Sequence, residues 1–165
     1  MTPEEIEQKL TDWMVDFVEQ PHPGLGQWAP CPYARQARIN KQIKIVHSDH
    51  QRLMATVEQQ LPELEHKEVV VICFDHTKIS TQELEKLIKV YNQQVLMARN
   101  YVILEDHPDA VELVNGVHMN FGHCGLLVIQ KLDKLTTASE QLKSKGYYNT
   151  WSQSELDQVV TWRNP

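Results

Sequence analysis

The chain has 165 residues, a formal net charge of −6 and 41% hydrophobic residues. These values predict a single globular domain spanning residues 1–165 with a sizeable core, and they exclude a low-complexity or disordered chain. The mild acidity argues against nucleic acid as a partner, because a surface that follows phosphates needs clustered Lys and Arg.

The amino-terminal segment is predicted to be a helix and carries no targeting signal. Thr2 and Glu5 can form a capping box, and apolar residues then recur at helical spacing, which predicts a helix within residues 1–20. The segment is rich in acids with a single base at Lys9, unlike a signal peptide. The longest strongly apolar run, residues 69–74, is far shorter than the ~20 residues that cross a bilayer. The short apolar run therefore predicts a protein without membrane contact. The three cysteines form no close pair, which indicates a reducing compartment, so we expect a cytoplasmic protein.

The rest of the chain divides into a loop and an α/β body. Residues 21–37 are predicted to form a proline-rich loop packed over the core, because prolines break regular structure while aromatic residues remain. In residues 38–165, strands are predicted at residues 39–47, 69–74, 101–104 and 126–129, and capping boxes mark helix starts at Ser80 and Ser152. This alternation predicts an α/β fold with a mixed four-stranded sheet flanked by helices, in thioredoxin-like or small doubly wound order. No full helix separates the last two strands, which favours an antiparallel pair.

The first candidate site residue is Cys31, which lies between Pro30 and Pro32. Two flanking prolines fix its backbone, and a nearby Arg35 would lower the pKa of its thiol. We therefore predict Cys31 as a catalytic nucleophile or a metal thiolate. The alternative is a small apolar side chain that fills a gap under the loop.

The second candidate is His107 with Asp109, directly after the third predicted strand. Ligand sites of α/β sheets lie at strand ends, and a His beside carboxylates can act as a general base or a metal ligand. The alternative is a polar turn formed by Pro108 and Asp109.

The third candidate is the segment that leads into the fourth predicted strand. His118, His123 and Cys124 carry the donor atoms that zinc and other transition metals bind, although their spacing matches no zinc signature. Asn120 lies between the two histidines and is a candidate ligand-binding residue. The alternative is a hairpin-like loop with solvated histidines.

Four short motifs resemble an uncharacterised bacterial domain-of-unknown-function family. They are Trp13 on the first helix, Cys31-Pro32-Tyr33-Ala34, the strand at residues 43–46, and His107-Pro108-Asp109. The family has Phe at the position of Tyr33 and a Ser-Pro segment in place of residues 120–125. The resemblance implies a shared scaffold with Cys31 and His107 as the positions to examine, and it implies no established activity.

Together these features give one leading hypothesis and two alternatives. The leading hypothesis is a small-molecule enzyme or binding protein with a Cys/His site between residues 21–35 and 105–125, with Trp28, Tyr33, Arg35 and Asn120 binding ligand. The first alternative is a protein that binds a transition metal such as zinc through His118, His123 and Cys124, with His107 or Cys31 as a further ligand. The second is a protein-interaction module anchored by Trp28 and Tyr33. The sequence leaves a homo-oligomer open.

Overall fold

A computed structural model describes residues 1–164 of the chain, and it is an α/β protein. The helices are Pro3–Trp13 (α1), Ala34–Ile39 (α2), Leu53–Gln60 (α3), Thr81–Tyr91 (α4), Leu132–Ser144 (α5) and Gln153–Val159 (α6). Capping boxes open α1, α4 and α6, which confirms the predicted starts of these helices. Within residues 1–164, every helix is too short or too polar to cross a membrane.

The sheet is mixed and has four strands, as predicted. The strands of this sheet are Ile43–His47 (β1), Val69–Phe74 (β2), Tyr101–Asp106 (β3) and Gly125–Lys131 (β6). A separate hairpin pairs Leu113–Val114 (β4) with Val117–His118 (β5). The order is β1-β2-β6-β3. β1 and β2 are parallel, and β6 runs antiparallel between β2 and β3. The predicted antiparallel pairing of the last two long strands is therefore confirmed.

The side chains of β2 alternate between two hydrophobic cores. Val70, Ile72 and Phe74 face α3 and α4 in the larger core, whereas Val71 and Cys73 face α1. Burial on both faces explains the continuous apolar run of this strand. β6 enters the sheet beside Phe74 at Gly125, where a Cβ atom would lie 2.2 Å from the phenyl ring. A glycine is required there because the two strands could not otherwise approach each other.

The start of the first strand differs from the prediction. Ile39 is the last residue of α2 and is 53% exposed, so it is not part of β1. The predicted loop of residues 21–37 accordingly ends in a helix. Lys41 then adopts a left-handed backbone with φ +57°, and the amide of Gln42 donates to the carbonyl of Ala37 at 2.8 Å. This turn ends α2 and starts β1. Apolar residues alternate along the sequence on both sides of the turn, and this alternation predicted a single strand across it.

The outer edge of β3 is closed by a side chain. Asn92, 1% exposed, lies in a π-helical turn, Asn92–Leu96, that continues α4. Its amide nitrogen donates to the carbonyl of Ile103 and its amide oxygen accepts from the amide of Ile103, both at 2.9 Å. One side chain thus satisfies two buried backbone groups that a neighbouring strand would otherwise bind.

We expect Asn92→Ala to lower the free energy of unfolding by about 2–4 kcal/mol, because it leaves both backbone groups of Ile103 without a partner. Urea denaturation followed by circular dichroism measures the loss. The matched control is Gln93→Ala, an exposed neighbour in the same turn, which should change stability by less than about 0.5 kcal/mol. Equal effects of the two substitutions would contradict the capping role.

Candidate functional site

The two predicted site segments, residues 21–35 and 105–125, do touch. The side-chain amide of Asn115 donates to the carbonyl of Gly24 at 2.8 Å. Leu25, Val114 and Val117 are buried against one another in a third small core. The junction of the two segments is therefore apolar packing, and the reactive side chains lie elsewhere.

Cys31 is an accessible cysteine on a well-held backbone. Its amide donates to the carbonyl of Val18 at 3.0 Å, and its carbonyl accepts from the amide of Ala34. The hydroxyl of Tyr147 donates to the carbonyl of the preceding Pro30. These bonds tie the loop to Met14–Val18, a π-helical turn that continues α1, and to the segment after α5.

The surroundings of Cys31 do not favour ionisation of its thiol to the thiolate. Although the residue is solvent-accessible, desolvation by surrounding protein raises the pKa of its thiol, and the nearby Glu19 carboxylate adds to this. The backbone amides of Tyr33 and Ala34 oppose the shift without reversing it. The predicted lowering of the pKa by Arg35 is therefore wrong. Arg35 is exposed, and it forms no ion pair within residues 1–164.

A partly buried ion pair fixes the loop beside Cys31. Arg38 of α2 donates two hydrogen bonds to Glu19, at 2.6 and 3.0 Å. The Glu19 side chain is 2% exposed, so this two-point contact satisfies a carboxylate removed from water. The pair joins α2 to the end of the first helix and orients the segment between them.

The two predicted aromatic ligand residues of this loop differ in exposure. Trp28 is half-buried and packs edge-on against Tyr147, with ring centroids 5.7 Å apart. Tyr33 is 39% exposed, and its hydroxyl lies 3.4 Å from the side-chain oxygen of Gln141 on α5. Only Tyr33 therefore presents its ring to solvent.

Beside Tyr33 the surface forms a groove of about 260 Å³ against α5. Its walls are Tyr33, Asp133, Lys134, Thr137, Ala138 and Gln141. The α5 residues were not predicted as site residues. Their sequence has only helical periodicity, and nothing in it indicates that Tyr33, about a hundred residues earlier, packs against this helix.

His107 is a buried structural residue, with 3% of its surface exposed. Its Nδ1 accepts from the amide of Asp109 at 3.1 Å, so Nε2 carries the ring proton and donates to the carbonyl of Ile79 at 2.8 Å. Both ring nitrogens are used, and neither faces a substrate. The prediction of His107 as a catalytic residue paired with Asp109 is therefore not supported. Asp109 contributes its backbone amide, and its exposed carboxylate makes no hydrogen bond within residues 1–164.

Asn120 and Asp106 form a clamp that closes the connection from β3 to β6. The Asp106 carboxylate accepts from the side-chain amide of Asn120 at 2.9 Å and from the backbone amide of Phe121 at 2.8 Å. Asn120 also donates to the carbonyl of His107 and accepts from the amide of Glu112. Every polar atom of the Asn120 side chain is therefore hydrogen-bonded within the loop. No donor or acceptor of Asn120 remains free for the predicted role in ligand binding.

Acidic side chains converge at this clamp. Desolvation raises the pKa of Asp106 and of Glu105 above their ordinary values. Glu112 is solvent-accessible, yet the protein around it desolvates its carboxyl and raises its pKa from 4.5 to about 7. Repulsion by Asp106 and Glu105 adds to this rise. The loop therefore holds carboxylates that repel one another.

The predicted metal ligands are not assembled. Cys124 is 4% exposed and faces the core, whereas His118 and His123 are exposed. The His123 ring packs edge-on against Phe121, with centroids 5.1 Å apart. Across residues 1–164, no group of three or more His, Cys, Asp and Glu side chains is arranged to hold a metal ion.

Cys124 instead contacts Cys73, a pair that sequence spacing does not reveal. Strand register pairs Phe74 with Gly125, so Cys73 on β2 and Cys124, the residue before β6, are diagonal neighbours. Contact with the Cys124 thiol, and then burial, raise the pKa of Cys73 well above its ordinary value. The pair is a reduced, apolar part of the core.

We expect His107→Ala to lower the free energy of unfolding by about 2–4 kcal/mol, because it removes two hydrogen bonds from a buried turn. Chemical denaturation measures the change, with the exposed His118→Ala as control at less than about 0.5 kcal/mol. An unchanged stability of His107→Ala would restore the interpretation of His107 as a dedicated site residue.

The raised pKa of Glu112 predicts a pH-dependent gain in stability from Glu112→Gln. The folded protein binds the Glu112 proton more tightly than the unfolded chain does. The ionised carboxylate therefore lowers the free energy of unfolding, an effect that is absent below about pH 4.5 and complete above about pH 7. The substitution should therefore raise Tm more at about pH 8 than at about pH 5, with a smaller gain in high salt because the side chain is exposed. Glu140→Gln on α5 controls for the loss of one charge. An equal gain from Glu112→Gln at both pH values would refute the assignment.

Comparison with known proteins adds no family. No protein-family model, curated protein sequence or solved structure matches the chain. The resemblance carried by Cys31-Pro32-Tyr33-Ala34 and His107-Pro108-Asp109 therefore stays a prediction.

Proposed function

We propose that this protein binds a small molecule in the groove between Tyr33 and α5. The observation that supports the proposal is that Tyr33, a predicted ligand-binding residue, borders a groove of about 260 Å³. That volume is close to the lower end of the range for small-molecule sites, roughly 300 Å³. The proposal does not include catalysis by Cys31 with His107, because the two side chains have separate surroundings and the Cys31 thiol is not activated.

The groove suits a small planar molecule that carries a negative charge. The Tyr33 ring offers a face for stacking, and Thr137 and Ala138 leave room beside it. Lys134 forms no ion pair within residues 1–164, so its ammonium can receive a carboxylate. The Asp133 carboxylate accepts from the amide of Lys134 at 2.7 Å and keeps its negative charge, so a ligand carboxylate must bind on the Lys134 side of the groove.

The alternative of a protein-interaction module has less support. Interface anchors are aromatic side chains that enter a pocket of the partner. Trp28 already packs on Tyr147 within the chain, which leaves Tyr33 as the exposed aromatic residue of the loop. A single ring beside a concave surface fits a small ligand better than a protein partner.

The test is titration with benzoate, a planar carboxylate of suitable size, followed by amide chemical shifts in NMR spectra. We expect shifts at Tyr33 and along the groove side of α5. Lys134→Gln should weaken binding by about two- to fivefold, the contribution of one exposed ion pair. Lys143→Gln removes the same charge from the same helix outside the groove and should have no effect. Ala138→Trp should abolish binding by filling the groove.

Two outcomes would overturn the proposal. One is the absence of shifts around the groove at saturating benzoate. The other is equal weakening by Lys134→Gln and Lys143→Gln, which would indicate attraction to the general charge of α5 without a site.

A further inference from the structure

The backbone groups of β1 alternate between β2 and the outside of the sheet. The carbonyl of Gln42 accepts from the amide of Val69 at 3.1 Å, and the amide of Ser48 donates to the carbonyl of Cys73 at 3.0 Å. Alternate residues of a parallel strand bond to the same neighbour, so the even-numbered residues of β1 bond to β2. The odd-numbered residues therefore turn their amides and carbonyls away from β2.

The outward residues of β1 are Ile43, Ile45 and His47. No segment of residues 1–164 hydrogen-bonds to their outward amides and carbonyls. All three residues are partly exposed. The strand thus presents a row of backbone donors and acceptors that a further strand can bind.

A second copy of β1, related by a two-fold axis at Ile45, matches this row completely. Opposed residues that face each other in an antiparallel pair exchange two hydrogen bonds. Ile45 then lies opposite Ile45 of the second copy, and Ile43 lies opposite His47 on either side. Every outward amide and carbonyl of both copies gains a partner, whereas an axis one residue away leaves Ile43 or His47 unpaired.

The side chains along β1 also suit this arrangement. Ile43 and Ile45 pack at the margin of the core under α1 and remain partly exposed, so pairing covers apolar surface. On the other face, Lys44 comes opposite Val46 of the second copy. Lys44 already pairs with Glu63 at 3.2 Å, so the two copies bring no uncompensated lysine charge to this face.

The same register brings opposite charges together beyond both ends of the strand. Lys41 precedes Ile45 by as many residues as Asp49 follows it, so each Lys41 comes opposite Asp49 of the second copy. Both are exposed, and Lys41 forms no ion pair within residues 1–164. Asp49 contacts His50 and the amide of Gln51 through Oδ1, which leaves Oδ2 for the lysine. This complementarity occurs twice in a symmetric pair and favours a second copy of the chain over an unrelated strand.

We propose that the protein forms a two-fold symmetric dimer in which the β1 strands pair antiparallel about Ile45. The two four-stranded sheets then become one continuous sheet. A single strand pair is a small interface, so the dimer is weak and reversible. The dimer does not depend on the function proposed for the groove at Tyr33.

The first test is amide hydrogen exchange of the full chain, measured by NMR at about 20 µM and about 1 mM protein. The amides of Ile43, Ile45 and His47 should exchange at least about tenfold more slowly at the higher concentration, because dimerisation gives them partners. Lys44 and Val46 are internal controls, since their amides already bond to β2, and their exchange should change by less than about twofold. Sedimentation velocity over the same range should show monomer converting to dimer.

The second test removes the central hydrogen bonds. Ile45→Pro deletes the amide at the two-fold axis and leaves the β1–β2 ladder intact, because proline is tolerated where its nitrogen faces away from the sheet. We expect its Kd for dimerisation to rise by about tenfold or more. Ile45→Val keeps the amide and controls for the altered side chain.

The third test reverses charges and checks the register. Lys41→Glu faces Asp49 with a like charge at both ends of the strand pair, and should raise the Kd by about three- to tenfold. Adding Asp49→Lys to Lys41→Glu should restore dimerisation, whereas Lys89→Glu, an exposed site on α4, should have no effect.

Three results would each overturn the proposal. The first is a chain that stays monomeric at about 1 mM, well above the range of weak protein dimers. The second is slowed exchange that does not alternate between odd and even residues of β1. The third is a dimer with the same Kd in Ile45→Pro and Ile45→Val, or one that the charge exchange between Lys41 and Asp49 fails to restore.

Discussion

The carboxylate of Asp106 is the contact on which the carboxyl end of the sheet depends. β6 can lie between β2 and β3 only if the chain that leaves β3 returns to the same end of the sheet. Asp106, the last residue of β3, holds the returning chain through Asn120 and the amide of Phe121. A buried carboxylate that accepts two hydrogen bonds is costly to disrupt, because its charge would lose its partners. The closed loop then positions the β4–β5 hairpin against the amino-terminal loop.

This closure explains why a stretch rich in reactive residue types contains so little free chemistry. His107 and Asp106 accept hydrogen bonds from backbone amides of this connection, and Asn120 joins the Asp106 carboxylate to the carbonyl of His107. Cys124 turns into the core beside Cys73. Irregular backbone carries many amides and carbonyls that strands and helices would otherwise satisfy, so polar side chains are needed for the loop itself.

The sequence predicted the fold class well and the site poorly, for physical reasons. Burial of β2 on both faces and the capping boxes at Ser80 and Ser152 are local patterns, so they were readable without coordinates. His107 and Pro30, the residue before Cys31, hydrogen-bond to residues distant in sequence, Ile79 and Tyr147. Spacing along the chain gives no information on such pairings. The same holds for the groove at Tyr33, because it is formed only when the loop packs against α5.

The cap that Asn92 places on β3 makes the two edges of the sheet unequal. At β3, a side chain of the same molecule already fills the position that an incoming strand would take at Ile103. At β1, all five residues are partly exposed, and β2 is the one strand paired with it within residues 1–164. Exposed edges are where sheets recruit further strands. Extension of this sheet by a further strand is therefore favoured beside Ile43–His47 over the capped position at Ile103.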